Sequence, residues 1–207
     1  MTFFRPIPTQ RIDAQTWPVQ GTPADCAALA IHHFLRDCRP DLVVSGINHG
    51  LNVGWDVNYS GTVGAATEAA LLGYKAIAVS VDLQRNLEVT TQHDVFDRAA
   101  ALTGKVIVQL ERISWPASEI LNINHPGIEV RAVVQASCSY YNMHIPNITA
   151  VSDTVFTIGG SRQVNRGDRS QDGSATQEGN ATLSFIQVRQ SSTDSDPSLA
   201  TILPDLG

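Results

Sequence analysis

Asn48 stands at the far end of the apolar run Leu42 to Ile47, and Ser60-Gly61-Thr62 opens a helical stretch a short loop later. An asparagine amide oxygen is a hard, neutral donor of the kind that Mg²⁺, Mn²⁺ or Ca²⁺ accepts. A Ser-Gly-Thr helix start leaves backbone N–H groups and the positive helix end facing outward, and glycine lets that backbone approach a ligand closely. The turn therefore suits a phosphate. Each feature also has a plainer reading. A loop asparagine often pins its own turn, and Ser60 or Thr62 can cap the helix. Capping and phosphate binding are compatible, because a capping turn with spare donors is what a phosphate needs.

Between the two features lies Asn48-x-Gly50-x-Asn52-x-Gly54. Glycine permits positive φ and asparagine tolerates it, so this spacing shapes a loop. Asn52 joins Ser60, Gly61 and Thr62 as a candidate phosphate or substrate contact. Asp56 could orient a metal-bound water, but its commoner role is to stabilise such a loop. His49 is the histidine nearest this chemistry, open to proton transfer or to a loop contact. His32 and His33 are adjacent, so they point to different helix faces and cannot form an i, i+4 metal pair. Glu68 lies inside its helix, facing solvent or paired.

The elements that position these residues can be read in order. Residues 1–20 are extended, with Pro6, Pro8 and Pro18 excluding a helix and Trp17-Pro18-Val19 a possible edge strand. Thr22-Pro23-Ala24-Asp25 is a helix start with cap, first-turn proline and capping-box acid, and the helix should run to about Asp37. Cys26, Leu29, Ala30, His33 and Phe34 share one face at helical spacing. Leu42 to Ile47 is apolar on both faces, as a central parallel strand should be. A helix from Thr62 to Leu72 ends at Gly73, and Ala76 to Val81 is a second buried strand. His93 to Leu102 is helical. Val106-Ile107-Val108 favours a strand locally but keeps helical spacing, so one long helix kinked at Gly104 is expected.

Ile120 to Ile123 makes a short strand closed by His125-Pro126-Gly127. Beyond Val130 the pattern turns to β-branched and polar alternation at Val130 to Val134 and Thr154 to Ile158. Residues 159–182 lack apolar spacing and read as a long mobile loop. Leu183 to Val188 is a final strand, and the tail from Gln190 should fray. The expected fold is a three-layer, Rossmann-like α/β sandwich with a mostly parallel sheet. Residues 1–128 would form the core and 129–207 a β-rich extension.

Ser45-Gly46-Ile47-Asn48, the spaced glycines that follow, and Tyr59-Ser60-Gly61-Thr62-Val63 resemble the SurE family of metal-dependent nucleotidases. Gly21-Thr22-Pro23-Ala24-Asp25-Cys26 is similar to the family's GTPxDC helix start, and Leu121-Asn122-Ile123-Asn124 to its LNxNxP strand end. Ala69 and Lys75 depart from it, standing where glycine and proline are usual. The resemblance implies hydrolysis of nucleoside monophosphates, Asn48 as a metal ligand, and phosphate contacts from Ser60-Gly61-Thr62. It implies that Asn122 and Asn124 order the loop. It also implies a homodimer or homotetramer that exchanges its carboxyl-terminal segment. By the resemblance, the family's paired metal-binding aspartates belong to an amino-terminal βαβ segment of roughly 30 residues or more that the given residues do not include. The expectation is therefore little or no turnover from these 207 residues alone, and a non-catalytic nucleotide-binding or oligomer-forming paralogue is the alternative. A dinucleotide-dependent oxidoreductase is disfavoured, because no GxGxxG follows a strand.

The net charge of −6 gives no electrostatic footprint for a nucleic-acid polymer or an anionic membrane. Three cysteines without CxxC spacing argue against a disulfide framework and a zinc site. The sequons at Asn58, Asn147 and Asn180 read as accidental. No signal peptide or membrane-length apolar run is visible, so the cytoplasm is the default location.

Overall fold

The computed structural model describes residues 1–83, 92–139, 144–162, 168 and 170–188. The tail from Gln190, expected to fray, lies outside them. Five strands form the main sheet: β1 (Val43–His49), β2 (Ala76–Val81), β3 (Glu119–His125), β4 (Val133–Gln135) and β7 (Ala181–Gln187). Their order is β1-β2-β3-β7-β4, with β7 antiparallel to β3 and the other pairs parallel. A separate hairpin pairs β5 (His144–Ala150) with β6 (Phe156–Arg162). The split expected at residue 128 does not separate two sheets, since β4 and β7 complete the core sheet and only the hairpin stands apart.

Strand alternation sends neighbouring side chains to opposite faces and makes three layers. On one face, Ala76, Ala78 and Ile120 pack against Val63, Ala66 and Ala69 of α2 (Gly61–Leu71). On the other, Ile77, Val79, Leu121 and Ile123 pack against Leu102 and Val106 of α3 (Gln92–Ile107), while Val81 meets Val95 and Ala99. Helix α3 runs through Gly104 unbroken by a strand, because Leu102 and Val106 reach the sheet only at helical spacing. Gly73 closes α2 region with φ +85°, as its position after the helix requires.

Three elements differ from expectation. Among the described residues β1 lies at the edge of the sheet, and Val44 is 45% exposed. Helix α1 (Pro23–Leu29) continues into a π-helical turn, Ala30–Phe34, and stops at Leu35. The wider turn rotates the buried face onto Ala27 and Ile31 and leaves His33 exposed. The stretch read as a mobile loop contains most of β6 and a buried helix, α4 (Asp172–Gln177). Trp17-Pro18-Val19 makes only a single bridge, Thr9 to Val19, and Trp17 stacks on Phe34 at 4.8 Å.

The capping box is present as read. The Thr22 hydroxyl accepts from Asp25 N–H at 3.2 Å, and the Asp25 carboxylate accepts from Thr22 N–H at 2.7 Å. Asp25 also receives the Thr2 backbone N–H at 2.7 Å, which ties the extended amino-terminal strap to α1. That amide holds the carboxyl well below the ordinary range. Gly127 has φ +73°, and a Cβ there would lie 1.7 Å from the Asp82 carbonyl oxygen, so only glycine closes the turn after β3.

His125 is 2% exposed. Burial, with the Arg98 charge beside it, brings its imidazole down from 6.5 to about 4. The unfolded chain takes up this proton near its ordinary pKa, while the native chain resists to about 4. The resulting stability is complete above the unfolded pKa, declines as the pH falls between the two values, and declines no further from this group below the folded one. Urea unfolding at a series of pH values should show a slope of about one proton over that window. His125→Gln should remove it.

Candidate functional site

Strand β1 ends at His49, so Asn48 is its penultimate residue and not the first of the loop. Asn48 lies beside Ser80, Ser80 beside Asn124, and Asn124 beside Thr182. Paired residues in adjacent strands share a face. One level of the sheet is thus a polar row on the side that carries α2.

The glycine-asparagine loop is tied down at every second residue, and Asn52 ties it to this row. Gly50 N–H donates to the Val81 carbonyl at 2.8 Å. Asn52 N–H donates to Asn124 Oδ1 at 2.8 Å, and Asn52 Nδ2 to Ser80 Oγ at 2.6 Å. The Asn52 carbonyl accepts from Asn122 Nδ2 at 2.8 Å and from Asn124 Nδ2 at 3.0 Å. Asn52 is 5% exposed and is the central peg of the loop. Asn122 and Asn124 order the loop, in the role that the resemblance implied. Gly46, in β1, has φ +131°, and a Cβ would sit 2.5 Å from the Val79 carbonyl oxygen, so the strand can approach β2 here only without a side chain.

The third tie was not visible in the sequence. Gly54 N–H points at both carboxylate oxygens of Asp172, at 3.3 and 3.2 Å. The same carboxylate accepts from Ser139 N–H at 3.0 Å, Ser139 Oγ–H at 2.6 Å and Gly173 N–H at 2.7 Å. Cys138 Sγ–H donates to the Gly54 carbonyl at 3.1 Å. Burial raises the Asp172 carboxyl, and its hydrogen-bond donors oppose the rise. Burial, followed by the charge of Asp172, pushes the Cys138 thiol up to about 12, so this cysteine is a neutral donor and not a nucleophile. A lone Asp after a Gln in a polar tract carries no signal of this kind. The usable hint was Asp172 and Thr176 at helical spacing, with Thr176 Oγ–H bonding back to the Asp172 carbonyl at 2.6 Å.

A 3₁₀ turn, Gly54–Asn58, leads from the loop to Ser60. The Ser60 hydroxyl caps α2 by accepting from Val63 N–H at 3.1 Å, and the Ser60 carbonyl accepts from Gly64 N–H at 2.9 Å. The N–H groups of Gly61 and Thr62, at the first two helical positions, have no intrahelical acceptor. They form the open donor pair of the turn. Gly61 has a further reason to be glycine: a Cβ would meet Pro23 Cγ of α1 at 2.9 Å. Thr62 is buried at the α2 start, and Tyr59, just before the turn, is exposed.

Asn48 Nδ2 donates to the Gly50 carbonyl at 2.7 Å, the local pinning that a loop asparagine commonly makes. Among the described residues, no group of three or more His, Cys, Asp or Glu side chains is placed to hold a metal. A single neutral amide does not retain a divalent ion against water, because such sites depend on carboxylate charge. The described residues by themselves therefore do not fit the ion. His32, His33 and His49 are exposed and apart from any such set, and Glu68 is half-buried within α2.

An α/β sheet flanked by helices, with a pinned loop delivering an open helix N-terminus at the strand ends, defines a Rossmann-like protein whose site can accept an anion. Residues 1–153 match the family model for survival protein SurE, and the chain belongs to that family. It is 46% identical over 134 residues to the 5'/3'-nucleotidase SurE of Proteus mirabilis, covering 64% of this chain and 49% of that protein. It is 47% identical over 130 residues to the 5'-nucleotidase SurE of Xanthomonas oryzae pv. oryzae, covering 62% and 47%. The chain thus spans about half the length of these curated relatives. The crystal structure of the SurE protein from Aquifex aeolicus aligns with TM-score 0.78 at 25% identity, over 100% of this chain and 82% of that one.

Asp172→Asn keeps the shape but turns an N–H₂ group toward N–H donors. It should cost about 3 kcal/mol, the scale of one or two buried groups left unsatisfied. Thermal unfolding measures that loss, and limited proteolysis should show cleavage moving into Gly50 to Asn58. Unchanged protection of this loop would mean that Asp172 does not hold it.

Proposed function

We propose that the chain carries the phosphate-binding half of a 5'-nucleotidase site and takes nucleoside monophosphates. The open N–H pair of Gly61 and Thr62 at a capped helix start carries this reading. Those groups donate to two phosphoryl oxygens, and Ser60 fixes their direction. Held in place before the substrate arrives, they stabilise charge that builds on the phosphoryl group during hydrolysis. Asn52 serves the substrate through the loop that it pegs. The reaction class comes from family membership and from the nucleotidase names of the relatives.

Asn48 is proposed as one neutral ligand of a divalent ion, Mg²⁺ or Mn²⁺, with Ca²⁺ as a third candidate. The ion would polarise the phosphate and activate a water. The carboxylates it needs are not among the described residues. The second reading is a nucleotide-binding or oligomer-forming paralogue without turnover.

We also propose a homodimer or homotetramer joined through the β5–β6 hairpin. Ile148 and Ile158 pair across it and are 64% and 77% exposed, beside exposed Val155 and Phe156, which is a large apolar face for a free monomer. A cytoplasmic location fits three free cysteines and the absence of a membrane-length apolar helix among the described residues. No nucleic-acid polymer or membrane partner is proposed.

Equilibrium dialysis with AMP tests the phosphate site. Binding should be saturable with or without Mn²⁺, and Ser60→Ala should weaken it about tenfold. Equal affinity for adenosine and AMP would remove the phosphate role. Phosphate release by the 207-residue chain should stay at background with Mn²⁺ present, and a brisk metal-dependent rate would overturn the half-site reading. Sedimentation as a monomer would overturn the hairpin assembly.

A further inference from the structure

Strand β3 ends in two residues that face opposite ways. Asn124 points to the α2 side and pegs the loop, whereas His125 lines a groove of about 730 Å³ on the α3 side. This volume is in the range of small-molecule sites. The groove lies between α3 and the segment Ile128 to Val133. Arg98 and Lys105 line it from α3 and Arg131 from the other wall, with Glu129 the acidic group among its lining residues. The lining therefore carries an excess of two positive charges, on a chain whose net charge is −6. Leu102, Ile128 and Val130 supply apolar surface between the cations.

The histidine adds an observation independent of the charges. Its Nδ1 accepts the Gly127 N–H at 3.1 Å, so in the neutral ring the proton sits on Nε2. Among the described residues no acceptor meets that Nε2–H, and it is not one of the fully buried atoms left without a partner, so it is reached from the groove that His125 lines. A donor on the groove wall, with two guanidinium groups and an ammonium in the same lining, suits an oxygen anion.

We propose that this groove is a second ligand site, which binds an organic phosphate monoester dianion without hydrolysing it. The phosphoryl oxygens meet Arg98, Lys105, Arg131 and the His125 Nε2–H, and the organic body lies on Leu102, Ile128 and Val130. Two negative charges match the excess of two, and the guanidinium fork suits phosphate oxygens. The site is separate from the Ser60 turn, since the sheet lies between them.

The probe is phenyl phosphate, read by the NMR signals of the His125 ring, which are assigned with His125→Gln. The full chain should show a saturable shift of these signals. Inorganic phosphate should shift them more weakly, because it leaves the apolar surface uncovered. Arg98→Ala with Lys105→Ala should raise the dissociation constant about tenfold or more. Both side chains are exposed, so the fold should survive, and circular dichroism checks this. Ser60→Ala should leave the titration unchanged, which separates this site from the nucleotide site whether or not that one binds AMP. No saturable shift at millimolar probe, an equal shift from sodium chloride, or an unchanged constant in the double variant would each overturn the proposal.

Discussion

The structure depends on a requirement that water normally conceals: a buried amide must find partners inside the protein. Asn52 brings one side-chain amide and a full backbone peptide group into a region where Ser80, Asn122 and Asn124 are fully buried. Leaving one such group unpaired costs roughly 1–3 kcal/mol, several times the net worth of a surface contact. Asn52 N–H, C=O and Nδ2 all find partners in β2 and β3. Any displacement of the loop breaks several of these bonds at once. That gives the loop one position, and the position of the loop sets where the Ser60 turn begins.

Charge enters the same design at Asp172. Asp172 is a buried carboxylate with no cation among its hydrogen-bond partners, which are N–H and O–H groups of the loop, Ser139 and α4. Burial of an ion is costly, and convergent donors offset it only if the geometry holds. The carboxylate therefore links the last third of the chain to the loop more strictly than apolar packing would. Leu51 and Val53, which alternate with the pegs in sequence, are buried and form a small apolar cluster of their own.

Much of this was legible in the sequence where local rules decide the outcome. Thr22, Pro23 and Asp25 announce a helix start because capping involves only neighbours. Ala76 to Val81 is a continuous apolar run because both faces of β2 are covered. Helix α3 keeps its spacing through Gly104. The failures share a cause as well. Leu42 to Ile47 looks central, but whether a strand is central depends on what lies beside it. Asp172 to Gln177 looks disordered because hydrophobic spacing is the usual sign of a buried helix. This one is buried through Asp172, Ser174 and Thr176, and the Asp172 carboxylate finds Gly54 and Ser139, which are remote in sequence. The π-helical turn after Leu29 likewise shifts a face that ideal spacing assigns to His33.

The site residues divide along the same line. Ser60 caps α2 as its type suggests, and Asn48 pins Gly50 as its type suggests. Neither observation alone selects a ligand, because both satisfy the backbone first. The N–H groups of Gly61 and Thr62 are left without intrahelical acceptors by the same cap, and a ligand there is what the proposed phosphate role requires. Strand alternation then extends the economy of the fold. Asn124 and His125 are adjacent, yet one serves the loop on the α2 face and the other lines the groove on the α3 face. A two-residue strand end thus reaches both layers, and a substitution at either position acts on one face while the backbone pairing of β3 with β2 is kept.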